Sequence, residues 1–253
     1  MTVTETARSA DGTMIAFERV GDGPAVVCVD AAGGYRERGP MRPLAAALAD
    51  GFTVFTYDRR GRGESGDTAP YAVEREVDDL AAVIAAAGGR AHVYAFSSGG
   101  LVALHAAAAG VPIDRMALLE PPLGEPSAGE SSLTRELRAL VGAGQHEEAA
   151  AHFLAAIGVP EEYATPDPGL IAVAPTLVYD CVISDDTSLD LISRVRQPTL
   201  VIDSEGTTGP LPGWAVTIVE ALPHGRHSSL PGSWHGVEEG ALTKALREFY
   251  AQS

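Results

Sequence analysis

Lysine is nearly absent from this chain. Lys244 is the single one among 253 residues, cysteine occurs twice, and basic residues are scarce at 18 against 34 acidic ones. The resulting formal charge of −16 argues against a polyanionic partner such as DNA or an anionic membrane surface. No uninterrupted apolar run is long enough to span a bilayer, and no basic start followed by an apolar stretch marks a secretory leader. Cys28 and Cys181 lie far apart in sequence, and Cys28 sits in an apolar run, so two buried free thiols are expected rather than a disulfide. These absences point to a cytoplasmic protein. Scarce lysine beside abundant alanine suggests a high-GC bacterial genome. Internal repeats and low-complexity tracts are missing, and no histidine shows metal-ligand spacing, so no metal is expected.

What is present fits an α/β protein. Hydrophobic residues make up 45% and charged residues 21%, enough for a sizeable core in one domain carrying an insertion. Thr2–Ala7 and Thr13–Arg19 alternate and are joined across Asp11-Gly12, which predicts an opening hairpin. Ala25–Asp30 and Phe52–Tyr57 are continuous apolar runs, as in strands buried on both faces. A short helix ends over Leu44–Ala49. Val73, Val77, Leu80, Val83 and Ile84 recur at helical spacing within Ala72–Ala87, and Gly88-Gly89 stops that helix. Arg115–Glu120 reads as a strand halted by Pro121-Pro122. From about Leu123 to Arg194 the pattern changes. Leu133–Val141 and Glu147–Ile157 are amphipathic, and Pro160–Pro175 is proline-rich and irregular. Strand spacing returns at Pro198–Asp203, followed by a helix over Trp214–Leu222, a strand over Arg226–Leu230 and a terminal helix over Gly240–Ala251. Strands alternating with helices predict a mostly parallel, doubly wound sheet.

Ser97 stands out within Ala91–Leu104, which reads as a strand, a very tight turn and an apolar helix. Ala95 and Gly99 flank it two residues away on either side, the pattern of a nucleophile elbow. Strained backbone at such a turn lifts the hydroxyl clear of the sheet, and the small neighbours let strand and helix approach. The helix dipole is favourable, and the Ser98 N–H points where an oxyanion forms.

With these landmarks the chain resembles the α/β-hydrolase family over nearly its whole length. The resemblance rests on Val29-Asp30-Ala31-Ala32-Gly33-Gly34, Asp58-Arg59-Arg60-Gly61-Arg62-Gly63-Glu64-Ser65, Ala95–Gly100, Leu119-Glu120-Pro121 and Gly232-Ser233-Trp234-His235-Gly236, in family order. It implies a hydrolase core over residues 1–122 and 195–253 and a helical cap over residues 123–194. It also implies His235 as the base for Ser97, completing a catalytic triad with a carboxylate. The usual place for that acid is Asp203-Ser204-Glu205, where Asp203 or Glu205 qualifies. A minority arrangement, seen in some haloalkane dehalogenases, places a glutamate after the sixth strand, and Glu120 matches it. The Gly-x-x-Asp pattern after the seventh strand is missing, which favours Glu120 over Asp203.

The oxyanion hole implied by the resemblance uses the N–H groups of Ala32 and Ser98. Asp30-Ala31 replaces the family's His-Gly. An ionised Asp30 aimed inward at about 4 Å from an oxyanion costs about 4 kcal/mol at an effective dielectric near 20. Asp30 is therefore expected to turn away and bond its own loop. Phe96 and Trp234 are expected to line the substrate pocket beside Asp30, and the aromatic Phe96 suits an apolar substrate. Core packing is the alternative for Trp234 and Trp214. The Arg59-Arg60-Gly61-Arg62 loop has the charge of a phosphate site, but a structural role like that of related hydrolase loops is preferred.

The leading expectation is a cofactor-independent serine hydrolase of a small, rather apolar ester, thioester or lactone, acting alone or as a homodimer. Two alternatives remain. One is a lyase, cyclase or isomerase of secondary metabolism that moves a proton with His235 or Asp30. The other is a small-molecule binding protein without catalysis.

Overall fold

Predominantly apolar runs become the inner strands. A computed structural model describes residues 3–124 and 129–252. Thr2 of the expected hairpin and residues 125–128 of the expected cap lie outside the described residues. β1 (Glu5–Arg8) and β2 (Met14–Val20) form the opening hairpin, followed by β3 (Ala25–Val29), β4 (Thr53–Tyr57), β5 (Ala91–Phe96), β6 (Ile113–Leu119), β7 (Thr199–Ser204) and β8 (Gly225–Leu230). They make one eight-stranded sheet in the order β1-β2-β4-β3-β5-β6-β7-β8. Only β2 runs against its neighbours, and every other pairing is parallel.

Strand side chains alternate between two cores, as a period of two requires. Val27 and Val29 of β3, with Val93 and Ala95 of β5, face α2 (Val73–Ala86) and α3 (Ser98–Ala108). Val26, Cys28 and Tyr94 face α1 (Met41–Leu48) and α10 (Glu239–Tyr250). The sheet is thus covered on both sides and doubly wound. Both cysteines are free and buried.

Between β6 and β7 the chain inserts α4 (Ser132–Gly142), α5 (His146–Ala156), α6 (Pro168–Ala172), α7 (Leu177–Asp186) and α8 (Leu189–Ser193). Ser131, Asp167 and Ser188 cap α4, α6 and α8 by accepting backbone N–H groups. Leu137, Phe153, Leu170, Leu177 and Cys181 build the insertion's own apolar core. α4 and α5 match the two amphipathic stretches. The proline-rich stretch carries short 3₁₀ turns at Glu161–Tyr163 and Ala174–Thr176 around α6. α9 (Leu211–Ala221) links β7 to β8. A two-residue hairpin, β9 (Gly232–Ser233) and β10 (Gly236–Val237), follows β8 and carries Trp234 and His235 at its turn.

Candidate active site

β5 ends at Phe96 and α3 begins at Ser98, leaving Ser97 alone to reverse the chain, with φ 52° and ψ −127°. Its N–H donates to the Leu119 carbonyl at 2.8 Å, which ties the elbow to the end of β6. The neighbours have no room for side chains. A Cβ on Gly99 would lie 2.6 Å from the carbonyl oxygens of Val29 and Asp30, and one on Gly100 would lie 2.9 Å from Pro121 Cβ.

Glu120 follows directly after β6, fully buried, and His235 sits in the β9–β10 turn. His235 Nδ1 lies 2.7 Å from Glu120 Oε2, while Glu120 Oε1 accepts the Ser204 N–H at 2.9 Å. A carboxylate only accepts, so Nδ1 carries the proton and Nε2 is left as the basic nitrogen. The His235 N–H donates to Thr207 Oγ1 at 2.9 Å, and the imidazole lies against Phe96 and Trp234 at centroid distances of 4.8 and 5.2 Å. Ser97, Glu120 and His235, at φ 52°, 45° and 52°, are the non-glycine residues with positive φ among those described. Among the described residues the hydrogen bonds of His235 run through its N–H and Nδ1, and none joins Nε2 to the Ser97 hydroxyl. Such bonds are often loose in unliganded enzymes and tighten in the complex.

Asp203 is placed elsewhere: its Oδ2 lies 2.9 Å from His227 Nε2 on the edge strand β8. Glu205 is exposed. Neither reaches His235, because Asp203 occupies a strand position whose side chain leaves toward β8, whereas Glu120 begins the loop under the histidine.

Ser98 opens α3, so its N–H has no carbonyl partner within the helix. The Ala32 N–H makes no hydrogen bond among the described residues. Asp30 bonds its own loop, as expected, and does not line the substrate pocket beside Phe96 and Trp234. It is 2% exposed, its Oδ1 accepts the Ala31 N–H at 2.8 Å, and the carboxyl packs where side chains on Gly34 and Gly39 would be. Oδ2 is buried without a partner. Burial pushes this carboxyl up to about 6, against the opposing pull of the Ala31 N–H and of Arg62, Arg59 and Arg38.

The arginine loop is buried, and every guanidinium nitrogen in it has a protein partner, which argues against a phosphate site. Arg59 grips Glu76 through two 2.7 Å bonds and donates to Asp180 at 2.7 Å. Arg60 grips Asp79 in the same way and reaches Asp11 at 3.0 Å. Arg62 donates to Asp180 at 2.6 Å and to Thr176 at 3.0 Å. Sequence reasoning missed Asp180, Thr207 and Ser204. Nothing in the local pattern marks them, since each matters only through a contact far away in the chain. Of the other histidines, His92 stacks on Tyr250, His105 meets Thr187, His152 meets Glu136, and His224 is exposed. Trp214 is half-buried on α9. Among the described residues no cluster of three or more His, Cys, Asp or Glu is arranged to hold a metal ion, and no helix is long and apolar enough to cross a membrane.

Comparisons with known proteins bear on the fold and the family. An α/β hydrolase from Sphaerobacter thermophilus is 41% identical, covers 98% of this chain and 100% of its own, and superposes with a TM-score of 0.89. The enol-lactonase of Burkholderia xenovorans is 21% identical over 98% of this chain and 100% of its own, with a TM-score of 0.71, a likeness of fold alone. The uncharacterized hydrolase YraK of Bacillus subtilis is 32% identical over 108 residues, 41% of this chain. That match spans 39% of YraK's own length. The Alpha/beta hydrolase family description matches residues 25–245, which span strands β3 to β8 and the loops described above, and the chain belongs to that family.

Proposed function

We propose that the protein is a serine hydrolase of small, rather apolar esters, thioesters or lactones, working without a cofactor through an acyl-enzyme on Ser97. The carrying observation is the coincidence of positive φ at Ser97, Glu120 and His235 with the 2.7 Å Glu120–His235 bond. Left-handed backbone at non-glycine residues costs on the order of 1–3 kcal/mol each and persists where surrounding structure fixes it, often at functional sites. In this reading His235 Nε2 takes the Ser97 proton as Oγ bonds to the substrate carbonyl carbon. The Ala32 and Ser98 N–H groups stabilise the oxyanion. The intermediate collapses, the leaving alcohol, thiol or ring oxygen takes the proton from His235, and the acyl group stays on Ser97. Water, deprotonated by His235, then releases the acid and restores the serine. Glu120 holds the imidazole in the required tautomer and offsets its positive charge. The insertion acts as the cap that sets substrate choice, and Phe96 and Trp234 beside His235 supply apolar surface.

Asp30 was the support for a proton-transfer alternative. Its carboxyl is packed against Gly34 and Gly39 and away from open space, so proton transfer without an acyl-enzyme would rest on His235 alone. The test is covalent. A fluorophosphonate probe is expected to label Ser97, shown by mass spectrometry of the digested adduct, and Ser97→Ala is expected to abolish both labelling and hydrolysis of p-nitrophenyl acetate. Turnover that survives Ser97→Ala rules the reading out, and so does a bound small molecule returned unchanged by the wild type.

A further inference from the structure

One carboxylate from the insertion touches the supports of both oxyanion donors. Asp180 lies on α7, with its side chain 2% exposed. Its Oδ1 accepts from Ser98 Oγ at 2.7 Å and from Arg59 Nη1 at 2.7 Å. Its Oδ2 accepts from Arg62 Nη2 at 2.6 Å. The same Arg62 reaches onward: Nη1 donates to the Ala31 carbonyl at 2.7 Å and to the Gly34 carbonyl at 3.3 Å. Arg59 Nη1 also spans the Asp30 carbonyl at 3.3 Å and Ser98 Oγ at 3.2 Å.

The Ala31 carbonyl belongs to the same peptide unit as the Ala32 N–H. In a planar trans peptide the two point in opposite directions, so an anchor on the oxygen sets where the N–H aims. A guanidinium bonded to that oxygen also polarises the peptide and makes its N–H a stronger donor, most of all in a buried site. The loop has need of such an anchor. It carries Asp30-Ala31 where the family resemblance places His-Gly, and the orphan Asp30 Oδ2 shows that Asp30 itself bonds the loop through one oxygen only.

We infer that Asp180 is a positioning residue for the oxyanion site, acting through Arg62 on the Ala31–Ala32 peptide and directly on Ser98. The insertion thereby aligns the two donors in addition to covering the site. The inference rests on the proposed serine-hydrolase reading, since that reading makes Ala32 and Ser98 the donors.

The experiment uses the full chain and three variants, Asp180→Asn, Arg62→Lys and Ser98→Ala, with folding checked by thermal melting and assays run well below the melt. Ser98→Ala keeps the N–H and removes only the hydroxyl that bonds Asp180, so it serves as the mild variant should a buried-charge variant not fold. For each, kcat and KM on p-nitrophenyl acetate and the labelling rate with a fluorophosphonate are measured. The phosphonyl oxygen of that probe occupies the oxyanion site. The expected result is a fall in kcat and in labelling rate by about ten- to a hundredfold for Asp180→Asn and Arg62→Lys, less than the loss on deleting a donor outright. Ser98→Ala should lose about three- to tenfold, and KM should stay within about threefold throughout. A merely structural role lowers the melting temperature and leaves kcat and labelling unchanged. Folded variants with wild-type kcat and labelling rate, or with the loss confined to KM, overturn the inference. So does a wild-type rate in Ser98→Ala if the other two do not fold. A wild type that shows no Ser97 label at all instead removes the hydrolase reading.

Discussion

Glu120 adopts φ 45° and is 0% exposed, a costly place for a carboxylate unless its oxygens are used. Both are: one holds His235 Nδ1 and the other takes the Ser204 N–H. Asp203 holds the position where the resemblance puts the usual acid, but it faces His227. Glu120→Gln should therefore lower kcat on p-nitrophenyl acetate by up to about 10⁴-fold, the scale for a triad carboxylate replaced by its amide. Asp203→Asn should change kcat by less than about twofold. A larger loss in Asp203→Asn than in Glu120→Gln reverses the assignment. Asp30 permits a prediction about stability. Its folded value is raised from 3.8 to about 6, so the native state holds a proton that the unfolded chain releases. That stabilisation is complete below about pH 3.8 and fades as pH climbs to about 6, with a size on the order of 3 kcal/mol. Asp30→Asn cannot titrate. Urea unfolding of both proteins at pH 4.5 and 7.5 should show the stability gap moving in favour of the variant at the higher pH, by about 1–3 kcal/mol. A gap independent of pH contradicts a titrating Asp30.

Among the elements, the elbow is the one whose sequence dictates its shape most directly. Gly99 lies where α3 passes over β3, and a methyl there meets two backbone carbonyls that cannot step aside. Gly99→Ala should lower the unfolding free energy by about 1–3 kcal/mol, as overpacking does. Gly142 ends α4 in open space, and Gly142→Ala should be neutral or stabilising by up to about 1 kcal/mol. Chemical denaturation of the pair decides, and equal losses at both sites refute the packing account. The same contrast explains what the sequence made legible. Buried strands announce themselves because both faces are apolar, so β3 and β4 were readable from continuous runs, while β5 to β7 were readable from apolar stretches bounded by turn signals. α7 was not. Its inward face carries Asp180 among Leu177, Val178 and Cys181, so the charge that anchors it also breaks its apolar spacing. The β9–β10 hairpin is two residues per strand, too short for any period, although the histidine it presents was recognisable from its motif. Glu120 was legible because Leu119-Glu120-Pro121 ends a strand, whereas the partners of Arg59, Arg60 and Arg62 lie up to 121 residues away and leave no local sign.

For the molecule as a whole, the question is whether the insertion moves as a lid. Its links to the core include buried charged pairs, an exposed ion pair and apolar contacts. Asp180 bridges Arg59 and Arg62, Asp167 pairs with Arg38, Leu170 fills the space above Gly33, and Tyr179 stacks on Tyr71 at 3.9 Å. Buried ion pairs add little net stability compared with apolar packing, but taking away one partner while the other stays buried costs about 3–5 kcal/mol. Opening the insertion would break two at once beside the oxyanion loop. It follows that α7 should open only when the sheet does. Native-state hydrogen exchange of the wild type should give the α7 amides opening free energies within about 1.4 kcal/mol, a factor of ten, of those in α3 and β5. In Asp180→Asn the α7 amides alone should lose protection, while β5 keeps its own. If α7 in the wild type exchanges by orders of magnitude faster than β5, the insertion is a separate unit, and the charged links to Asp180 do not hold it to the core.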